Sequence, residues 1–495
     1  MKSDFKKRRK ILMETIGHDS VLIIPSAQHH KRTRDVDYPY RQDSDFYYLT
    51  GFRESDSLMM LIPGRKNGQF ILFCKDKDPL KERWDGPIAG PIEAEKDFNV
   101  DHAYAIDKID ELLPNLIKGK KSIYVPYDND EKFSLRLKKW VQSGDRLLKI
   151  KNSKTKILNS SNVLHEIRLI KSESEIRKMK KAARIAVDAH RKTMSKVKTF
   201  RYEYELEAEI KYEFAKSNST SSYIPIVGSG KNSCILHYNS NNSILNDGDL
   251  VLIDAGCETE FYASDITRTY PVNGRFTREQ KEIYNIVLDA QKAAISQVRR
   301  GNKFSDPHDA AVITITQGLT KIGLLKGNVS DLIEKKKYIR FFMHRTSHWI
   351  GMDVHDVGDY MIDNEWRSLE NGMVLTIEPG IYIDDSEDIP EEYRQIGVRI
   401  EDMILVNNGS PEVITFELEK DNDIRRRVTT KGPHKSDIKV FISNAEAKEI
   451  LSRGEQKLLS IIWLCAQHET LRSLYRIKPT LLIDCLLYTS DAADE

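Results

Sequence analysis

The chain has few cysteines and no long uninterrupted apolar segment. Its five cysteines, Cys74, Cys234, Cys257, Cys465 and Cys485, are scattered, odd in number and without the spacing of a metal-binding motif. They indicate free thiols in a reducing compartment rather than a disulfide scaffold. No apolar run approaches the ~20 residues of a membrane span, and the run behind the basic N-terminus is too short for a cleaved signal peptide. We therefore expect a cytoplasmic protein without a membrane segment.

The chain also lacks an excess of charge of either sign. Its 77 lysines and arginines nearly cancel its 75 aspartates and glutamates. This balance gives no support to a general binder of nucleic acids or acidic membranes. The one basic run, residues 6–10, predicts the solvent-exposed face of a first helix. At 495 residues the chain is too long for one compact core, so we expect two or three domains.

The first third of the chain has an α/β pattern. Apolar runs at 21–25, 58–63, 70–74 and 122–126 predict buried strands between helical stretches. A long helix is predicted to begin near Ser172, which has the spacing of a capping box with Glu175 and opens a second domain. From about residue 220 the pattern changes to strands with helices between them.

Five side chains in the second domain stand out because their surroundings are apolar. They are Asp254 in LIDAG, Asp265 in ASDITRTYP, His348 in TSHWIG, Glu378 in TIEPG and Glu401 in VRIED. Each acid interrupts a strand-like apolar segment, where an unpaired charge is costly. We predict that the four acids project from strands of one sheet.

A predicted hairpin relates the first two acids. Asp254 and Asp265 lie at roughly mirrored positions about a turn near 259–260. Antiparallel pairing is then expected to set their carboxylates side by side across the two strands.

Four carboxylates and one imidazole form a hard, oxygen-rich ligand set. Packed together, the carboxylates would repel one another and raise each other's pKa values. A pair of divalent cations relieves this repulsion, and manganese-like ions suit such ligands. Two such ions hold and ionise a water molecule, which is the chemistry of hydrolysis.

Several long segments carry a family resemblance. They are YPYRQDSDFYYLTGF, SCILHYNSNN, LVLIDAGCETEFYASDITRTYPVNG, FFMHRTSHWIGMDVHDVG, GMVLTIEPGIYI and IGVRIEDMILV. In this order they resemble aminopeptidase P, the Xaa-Pro aminopeptidase branch of the pita-bread metallopeptidases. The resemblance covers about residues 5 to 423.

The resemblance implies a fold, an activity and a cofactor. It implies a creatinase-like α/β N-terminal domain over residues 1–163 and an α+β pita-bread catalytic domain with pseudo-twofold symmetry over residues 164–423. Two divalent ions, usually manganese, would share a hydroxide that attacks the peptide bond before a proline in the second position. The N-terminal residue would be released from peptide substrates, and the chain would form a homo-oligomer, a dimer or tetramer.

The resemblance also implies roles for the five ligands. Asp265 and Glu401 would bridge both ions, Asp254 would bind metal from the hairpin, and His348 would bind one ion only. Glu378 would bind metal and also move protons for the bridging water.

Further residues match the family by position. His237, His344 and His355 fall at substrate-side positions, where they would steady the oxyanion and the proline carbonyl. Arg399 would support Glu401 from outside the ligand set. Trp84 falls near an aromatic residue that family members lend to a neighbouring subunit. At 345–346, Arg-Thr stands where some relatives have a small residue and leucine.

Three other interpretations remain open at this point. An Xaa-Pro dipeptidase (prolidase) shares the fold and the ligands but accepts only dipeptides. A methionine aminopeptidase shares the catalytic domain but does not need an N-terminal domain of about 160 residues. A non-catalytic pita-bread module that binds peptides or proteins would lose the metal ligands, all five of which are present here.

The end of the chain is different in kind. The segments AKEILSRGEQKLLSIIWLCAQ and PTLLID resemble the signature loop and Walker B strand of RecF-type DNA-repair ATPases, and the last eleven residues resemble a translated sequencing adapter. No phosphate loop precedes them, so an ATP site is not expected. We interpret residues 424–495 as a foreign tail joined to a peptidase, with a genuine helical extension as the alternative.

Overall fold

A computed structural model gives the fold. It describes residues 2–126, 131–149, 154–415, 441–442 and 445–446. The chain divides into two compact units, Met1–Glu419 and Lys420–Glu495. In the second unit the described part is one antiparallel strand pair, and the rest of the tail assigned to 424–495 lies outside the described residues.

The N-terminal part is built on a six-stranded mixed sheet with strand order β4-β3-β2-β1-β5-β6. Its strands are β1 (Ser20–Pro25), β2 (Leu58–Leu61), β3 (Phe70–Cys74), β4 (His102–Ala105), β5 (Ser122–Val125) and β6 (Lys156–Asn159). Its helices are α1 (Lys2–Ile16), α2 (Ser44–Thr50), α3 (Pro79–Asp85), α4 (Gly90–Phe98), α5 (Ile109–Ile117) and α6 (Glu131–Leu147). All four predicted strands are present.

Strand β1 shows why this sheet is covered on both faces. Leu22 and Ile24 pack with Leu12 and Phe46 of α1 and α2. Alternate residues Val21 and Ile23 belong to a separate core, with Leu113 and Trp140 of α5 and α6. Side chains alternate between the faces of a strand, so a run of consecutive apolar residues serves two helical layers.

The basic run in α1 does not form a wholly solvent-exposed face. Lys6, Lys7 and Lys10 are exposed, but Arg8 and Arg9 are buried. The guanidinium of Arg8 lies 3.9 Å from the Tyr48 ring centroid and pairs with Glu175 at 3.2 Å. The prediction was wrong for these two residues. Glu175 and the Tyr48 ring compensate the desolvated charge of Arg8, and the carbonyl oxygen of Leu49 and the Phe70 ring compensate that of Arg9.

The part of the chain after β6 begins with a short helix and then repeats a helix-pair and sheet arrangement. Its helices are α7 (Ser161–Leu169), α8 (Glu173–Lys196), α9 (Glu203–Lys216), α10 (Arg278–Gln297), α11 (Asp306–Lys321) and α12 (Val329–Glu334). Its strands are β7 (Thr220–Ser221), β8 (Ile226–Ser229), β9 (Leu250–Asp254), β10 (Cys257–Thr259), β11 (Tyr262–Ala263), β12 (Thr267–Pro271), β13 (Met361–Ile362), β14 (Glu365–Trp366), β15 (Val374–Ile377), β16 (Gly380–Tyr382), β17 (Gly397–Arg399), β18 (Asp402–Leu405) and β19 (Glu412–Val413). The pair β20 (Phe441–Ile442) and β21 (Ala445–Glu446) belongs to the second unit.

Two three-stranded antiparallel sheets form the two halves of this part of the chain. The sheet β12-β9-β8 packs on α8 and α9, and the sheet β15-β18-β19 packs on α10 and α11. The first core includes Ala186 and Ile253, and the second includes Val287 and Leu375. Helix α8 starts as predicted, since the backbone N–H of Ser172 donates to Glu175 Oε2 at 3.0 Å.

Two further predictions concern membrane-spanning helices and the state of the cysteines. In the described part of the chain no helix combines the length and apolarity that a membrane span requires. Cys74, Cys234 and Cys257 are free thiols, whereas Cys465 and Cys485 lie outside the described residues.

Candidate metal centre

The hairpin of β9 and β12 does not align the first two acids as predicted. Asp254, the last residue of β9, pairs with Thr267, and Asp265 lies two residues before β12 begins. The two carboxylates are joined instead by Tyr223, whose hydroxyl lies 2.5 Å from Asp254 Oδ1 and 2.5 Å from Asp265 Oδ1. The turn of this hairpin lies at Glu260 and Phe261, one residue later than expected, so Asp254 is mirrored by Thr267 and not by Asp265.

The other two acids lie at the ends of strands and not in one common sheet. Glu378 follows β15 directly, and Glu401 lies between β17 and β18. The prediction that one sheet carries all four acids was therefore wrong. Their backbone N–H groups bond to other segments: that of Glu378 donates to Thr346 O at 2.9 Å, and that of Glu401 donates to Thr267 O at 3.1 Å. Strand ends from both halves thus converge on one point.

The five predicted side chains face one another. His348 Nε2 lies 3.3 Å from Asp265 Oδ2 and 3.6 Å from Glu378 Oε1. Asp265, His348 and Glu401 each offer a ligand atom, and these atoms lie within 4.8 Å of one another. His348 Nδ1 lies 2.9 Å from the carbonyl oxygen of Trp349, to which it donates as an N–H, so Nε2 is the nitrogen that would bind a metal once it is deprotonated.

Neighbouring polar groups hold the carboxylates in place. Thr267 Oγ1 donates to Glu401 Oε2 at 2.7 Å, and Thr376 Oγ1 lies 3.3 Å from Glu378 Oε1. Arg399 makes its direct contact with Asp254, at 2.5 Å between Nη2 and Oδ2. It reaches Glu401 only through Thr267, whose hydroxyl lies 3.1 Å from Arg399 Nε.

The electrostatics of the cluster favour a cation. Burial, with the charge of Asp265 next, raises the pKa of Glu401 well above its usual range, and burial raises the pKa of Glu378 to about 7. Burial alone would lower the pKa of His348, but its hydrogen bond to Asp265 and the charge of Glu378 raise it to about 9. Burial and mutual repulsion thus favour the protonated forms of these carboxyl groups, and a bound divalent cation would relieve that repulsion. This donor set fits divalent cations with oxygen and imidazole ligands.

The cluster lies at the base of a cavity of about 460 Å³. His237, His344 and His355 line it, as do the five acidic and imidazole groups. The rings of His355 and His348 are 4.3 Å apart, and His344 Nε2 lies 2.9 Å from Tyr382 Oη. All eight predicted site residues and Arg399 thus border one space.

Two tyrosines at the site were missed by the sequence analysis. Tyr223 bridges two acids, and Tyr382 connects His344 to Arg399 at 3.0 Å. Neither is adjacent to an acid in the sequence, so only the folded chain reveals them. Thr267 had a detectable signal, because it lies two residues after Asp265 in an extended segment and shares its face.

Removing the Tyr223 hydroxyl should weaken metal binding. The Tyr223→Phe variant leaves two neighbouring carboxylates without their shared donor, and loss of such a contact typically costs ~10–100-fold in metal affinity. Titration of the metal-stripped protein with Mn²⁺ measures this. The exposed Tyr212→Phe variant serves as a control and should bind like the wild type. Equal affinity in Tyr223→Phe would show that the hydroxyl does not organise the ligands.

The loop with His355 is anchored to the N-terminal part by buried charges. Arg168 of α7 is only 3% exposed and contacts Asp45 of α2 at 2.6 Å. It also contacts Asp353 at 2.8 Å and Asp356 at 2.5 Å, the residues on either side of His355. Lys171 pairs with Asp356 at 2.9 Å. The orientation of the loop that carries His355 therefore depends on this ion network.

Comparison with known proteins identifies similar sequences over most of the chain. Residues 177–408 match the model of metallopeptidase family M24, and residues 5–124 match the aminopeptidase P N-terminal domain. The chain is 43% identical to a Xaa-Pro aminopeptidase of Haemophilus influenzae over 423 residues, 85% of this chain and 95% of the relative.

Solved structures give the same result. Aminopeptidase PepP of Pseudomonas aeruginosa superposes with a TM-score of 0.82 at 44% identity, covering 84% of this chain and 95% of that one. Escherichia coli aminopeptidase P with the inhibitor Pro-Leu gives a TM-score of 0.81 at 40% identity, with coverage of 84% and 95%. The predicted fold class, an α/β N-terminal domain before an α+β pita-bread domain, is confirmed by these similarities.

Proposed function

The chain belongs to metallopeptidase family M24, and from this premise we propose that it is an Xaa-Pro aminopeptidase. It releases the N-terminal residue from peptides with proline in the second position. One observation carries the proposal: four buried or half-buried carboxylates and one imidazole converge in a cavity that three further histidines line. Such a site is suited to hydrolysis of a peptide bond.

The metal ligands we propose are Asp254, Asp265, His348, Glu378 and Glu401, holding two divalent ions, with manganese preferred. Asp265, His348 and Glu401 would hold an ion together, which the distances of at most 4.8 Å between their ligand atoms support. When bound, the ions supply Lewis acidity for the peptide carbonyl and lower the pKa of a water molecule. Tyr223 and Thr267 keep three of the carboxylates oriented toward that position.

Glu378 is the proposed proton carrier. Its carboxylate lies 4.0 Å from His344 Nδ1 and faces the cavity beside His348. It accepts the proton of the attacking water and passes it to the proline nitrogen as the C–N bond breaks. Three histidines are proposed to donate hydrogen bonds to the oxyanion and to the proline carbonyl, where N–H donors stabilise developing charge: His237, His344 and His355.

The preference for proline follows from the amide and from the cavity wall. A bond before proline has no N–H, and its ring fixes the local backbone. Ile224, Leu236 and Val354 give the wall apolar surface, on which a pyrrolidine ring packs without an unpaired polar group.

The test uses three peptides and the metal-loaded protein. A pentapeptide with proline second should lose its first residue, the same pentapeptide with alanine second should remain intact, and the dipeptide Xaa-Pro should be a poorer substrate. Cleavage of the dipeptide alone would establish a prolidase instead. No cleavage of any peptide, with metal bound, would favour a peptide-binding module.

We further propose a homo-oligomer and the domain division 1–163 and 164–423. The six-stranded sheet ends with β6 at Asn159, which supports the boundary. Exposed apolar side chains on α3 and α4 support association: Trp84 is 89% exposed, Ile92 80% and Leu80 70%. A lone tryptophan is usually buried, so its exposure here favours a contact with another subunit.

The tail should be dispensable. A chain that ends after Glu419, the last residue of the first compact unit, should keep the wild-type kcat/KM for an Xaa-Pro peptide, because all proposed site residues lie before it. Steady-state kinetics of both chains at equal metal loading measures this. A tenfold loss in the shorter chain would show that residues 420–495 belong to the working enzyme.

A further inference from the structure

Arg345 has a different environment from the other charged groups of the cavity. It follows His344, lines the same cavity and is exposed. Its guanidinium carbon lies 4.7 Å from the Trp366 ring centroid. Among the described residues no carboxylate oxygen lies within 4.0 Å of its nitrogens, so its charge is without a direct acidic partner.

The second arginine of the cavity shows the contrast. Arg399 is 3% exposed, and it is bound to Asp254, Tyr382 and Thr267. These three contacts use three of its five N–H donors within the protein. Asp309 interacts with Arg345 only through space: burial raises the pKa of Asp309, and the positive charge of Arg345 partly offsets this.

A peptide substrate has charges that this arrangement distinguishes. Its N-terminal ammonium is attracted by the acidic cluster and repelled by a guanidinium. A carboxylate downstream of the proline is repelled by the acidic cluster and attracted by the guanidinium. It can be the C-terminal carboxylate or that of an acidic side chain. Because Arg345 is adjacent to His344, which lies 4.0 Å from Glu378, a downstream segment of a few residues at ~3.5 Å each reaches it.

On the basis of the proposed function, we propose that Arg345 is a specificity residue that binds a carboxylate on the downstream side of the substrate. Trp366 supports it, because an arginine over an aromatic ring is held near one orientation while its outer donors remain free. The guanidinium fork matches a carboxylate in two parallel hydrogen bonds. The preferred substrates are then short peptides with a free C-terminus, or longer ones with Asp or Glu shortly after proline.

Paired substrates and the full-length, Mn²⁺-loaded enzyme test the proposal. One pair is Ala-Pro-Ala with a free carboxylate and with a C-terminal amide. The other is a set of pentapeptide amides with Glu or Gln at the third, fourth or fifth position. In the first pair the wild type should prefer the free carboxylate to the amide by about three- to tenfold in kcat/KM at low salt. In the second set it should prefer Glu to Gln by a similar factor at one or more of the three positions. The preference should diminish at high ionic strength.

The variants separate this proposal from a general charge effect. Arg345→Gln should lose the preference, so that it cleaves the anionic and the neutral member of each pair with equal kcat/KM, and Arg345→Lys should keep part of the preference. Arg278→Gln removes an arginine whose side chain is 82% exposed on α10, and it should leave the preference intact. Preference for the tripeptide acid alone would identify the C-terminal carboxylate, and preference for the Glu peptides would identify side chains.

Two results would overturn it. A wild-type enzyme that cleaves anionic and neutral peptides equally would refute a carboxylate site, as would an undiminished preference in Arg345→Gln. Failure of the proposed function is distinct, because then the wild type cleaves none of the Xaa-Pro peptides.

Discussion

Replacing Glu378 by glutamine should reduce kcat for an Xaa-Pro pentapeptide by about 1,000-fold or more, within the range attributed to a general acid–base group. Glutamine has nearly the same shape but neither accepts nor delivers a proton under these conditions. Its amide oxygen still faces His348 and Thr376, so the cavity should keep its form. Steady-state kinetics, with metal content measured on the same sample, gives the result.

A matched surface variant controls for the loss of one carboxylate. Glu365 pairs with Lys303 at 2.9 Å, and its side chain is 76% exposed, so Glu365→Gln should keep wild-type kcat. If Glu378→Gln binds metal normally and loses less than tenfold in kcat, Glu378 is not the proton carrier. If it loses metal as well, kinetics under saturating Mn²⁺ separates ligation from proton transfer.

Replacing Arg168 by methionine should lower the free energy of unfolding by about 3–5 kcal/mol, the usual cost of leaving buried charges unpaired. Three carboxylates surround this guanidinium, and Asp356 beside it is 1% exposed. Methionine fills part of the volume but neutralises none of them. Lys171 remains as the only direct cationic partner of Asp356 among the described residues. Denaturant unfolding of both proteins measures the difference.

The same ion network should make the stability loss of Arg168→Met depend on pH. Burial alone would raise the pKa of Asp356, but Lys171 and Arg168 hold it below its usual value. A carboxylate with a lowered folded-state pKa stabilises the fold above its unfolded pKa of ~3.9 and loses that contribution as the pH falls through the folded value. The difference between wild type and Arg168→Met should therefore be largest near neutral pH and smaller below about pH 4.

An exposed pair provides the control for this variant. Arg177 and Glu173 are 3.8 Å apart on α8, with side chains 70% and 95% exposed, so Arg177→Met should cost less than about 1 kcal/mol. A similarly small cost for Arg168→Met would mean that the carboxylates around it relax or become protonated without penalty.

The sequence alone predicted the five side chains that line one cavity and the layers of the fold. The four acids stood out because each interrupts an apolar segment, and the buried strands because their apolar runs are continuous. Local patterns did not predict how strand ends from different sheets meet. The register of Asp254 against Thr267 follows from a turn at Glu260 and Phe261, one residue later than the sequence indicated.

The sequence patterns also did not predict the polar contacts between residues that are distant in the sequence. Tyr223 lies 31 residues before Asp254 and 42 before Asp265, and its position between them results from the packing of two elements. Arg8 was predicted to lie on a charged surface, but its side chain is buried and forms an ion pair with Glu175, which is distant in the sequence. Such partners are set by tertiary structure, and no periodicity signals them.

The central claim is that the cluster around His348 binds divalent metal and cleaves the bond before proline. The most direct measurement is release of the N-terminal residue from an Xaa-Pro pentapeptide while chelator-stripped protein is titrated with Mn²⁺. We predict no release without metal, release that rises to a plateau as two equivalents are added, and none from the alanine counterpart at any point. Full release by the stripped protein, or equal release from both peptides, would contradict the claim.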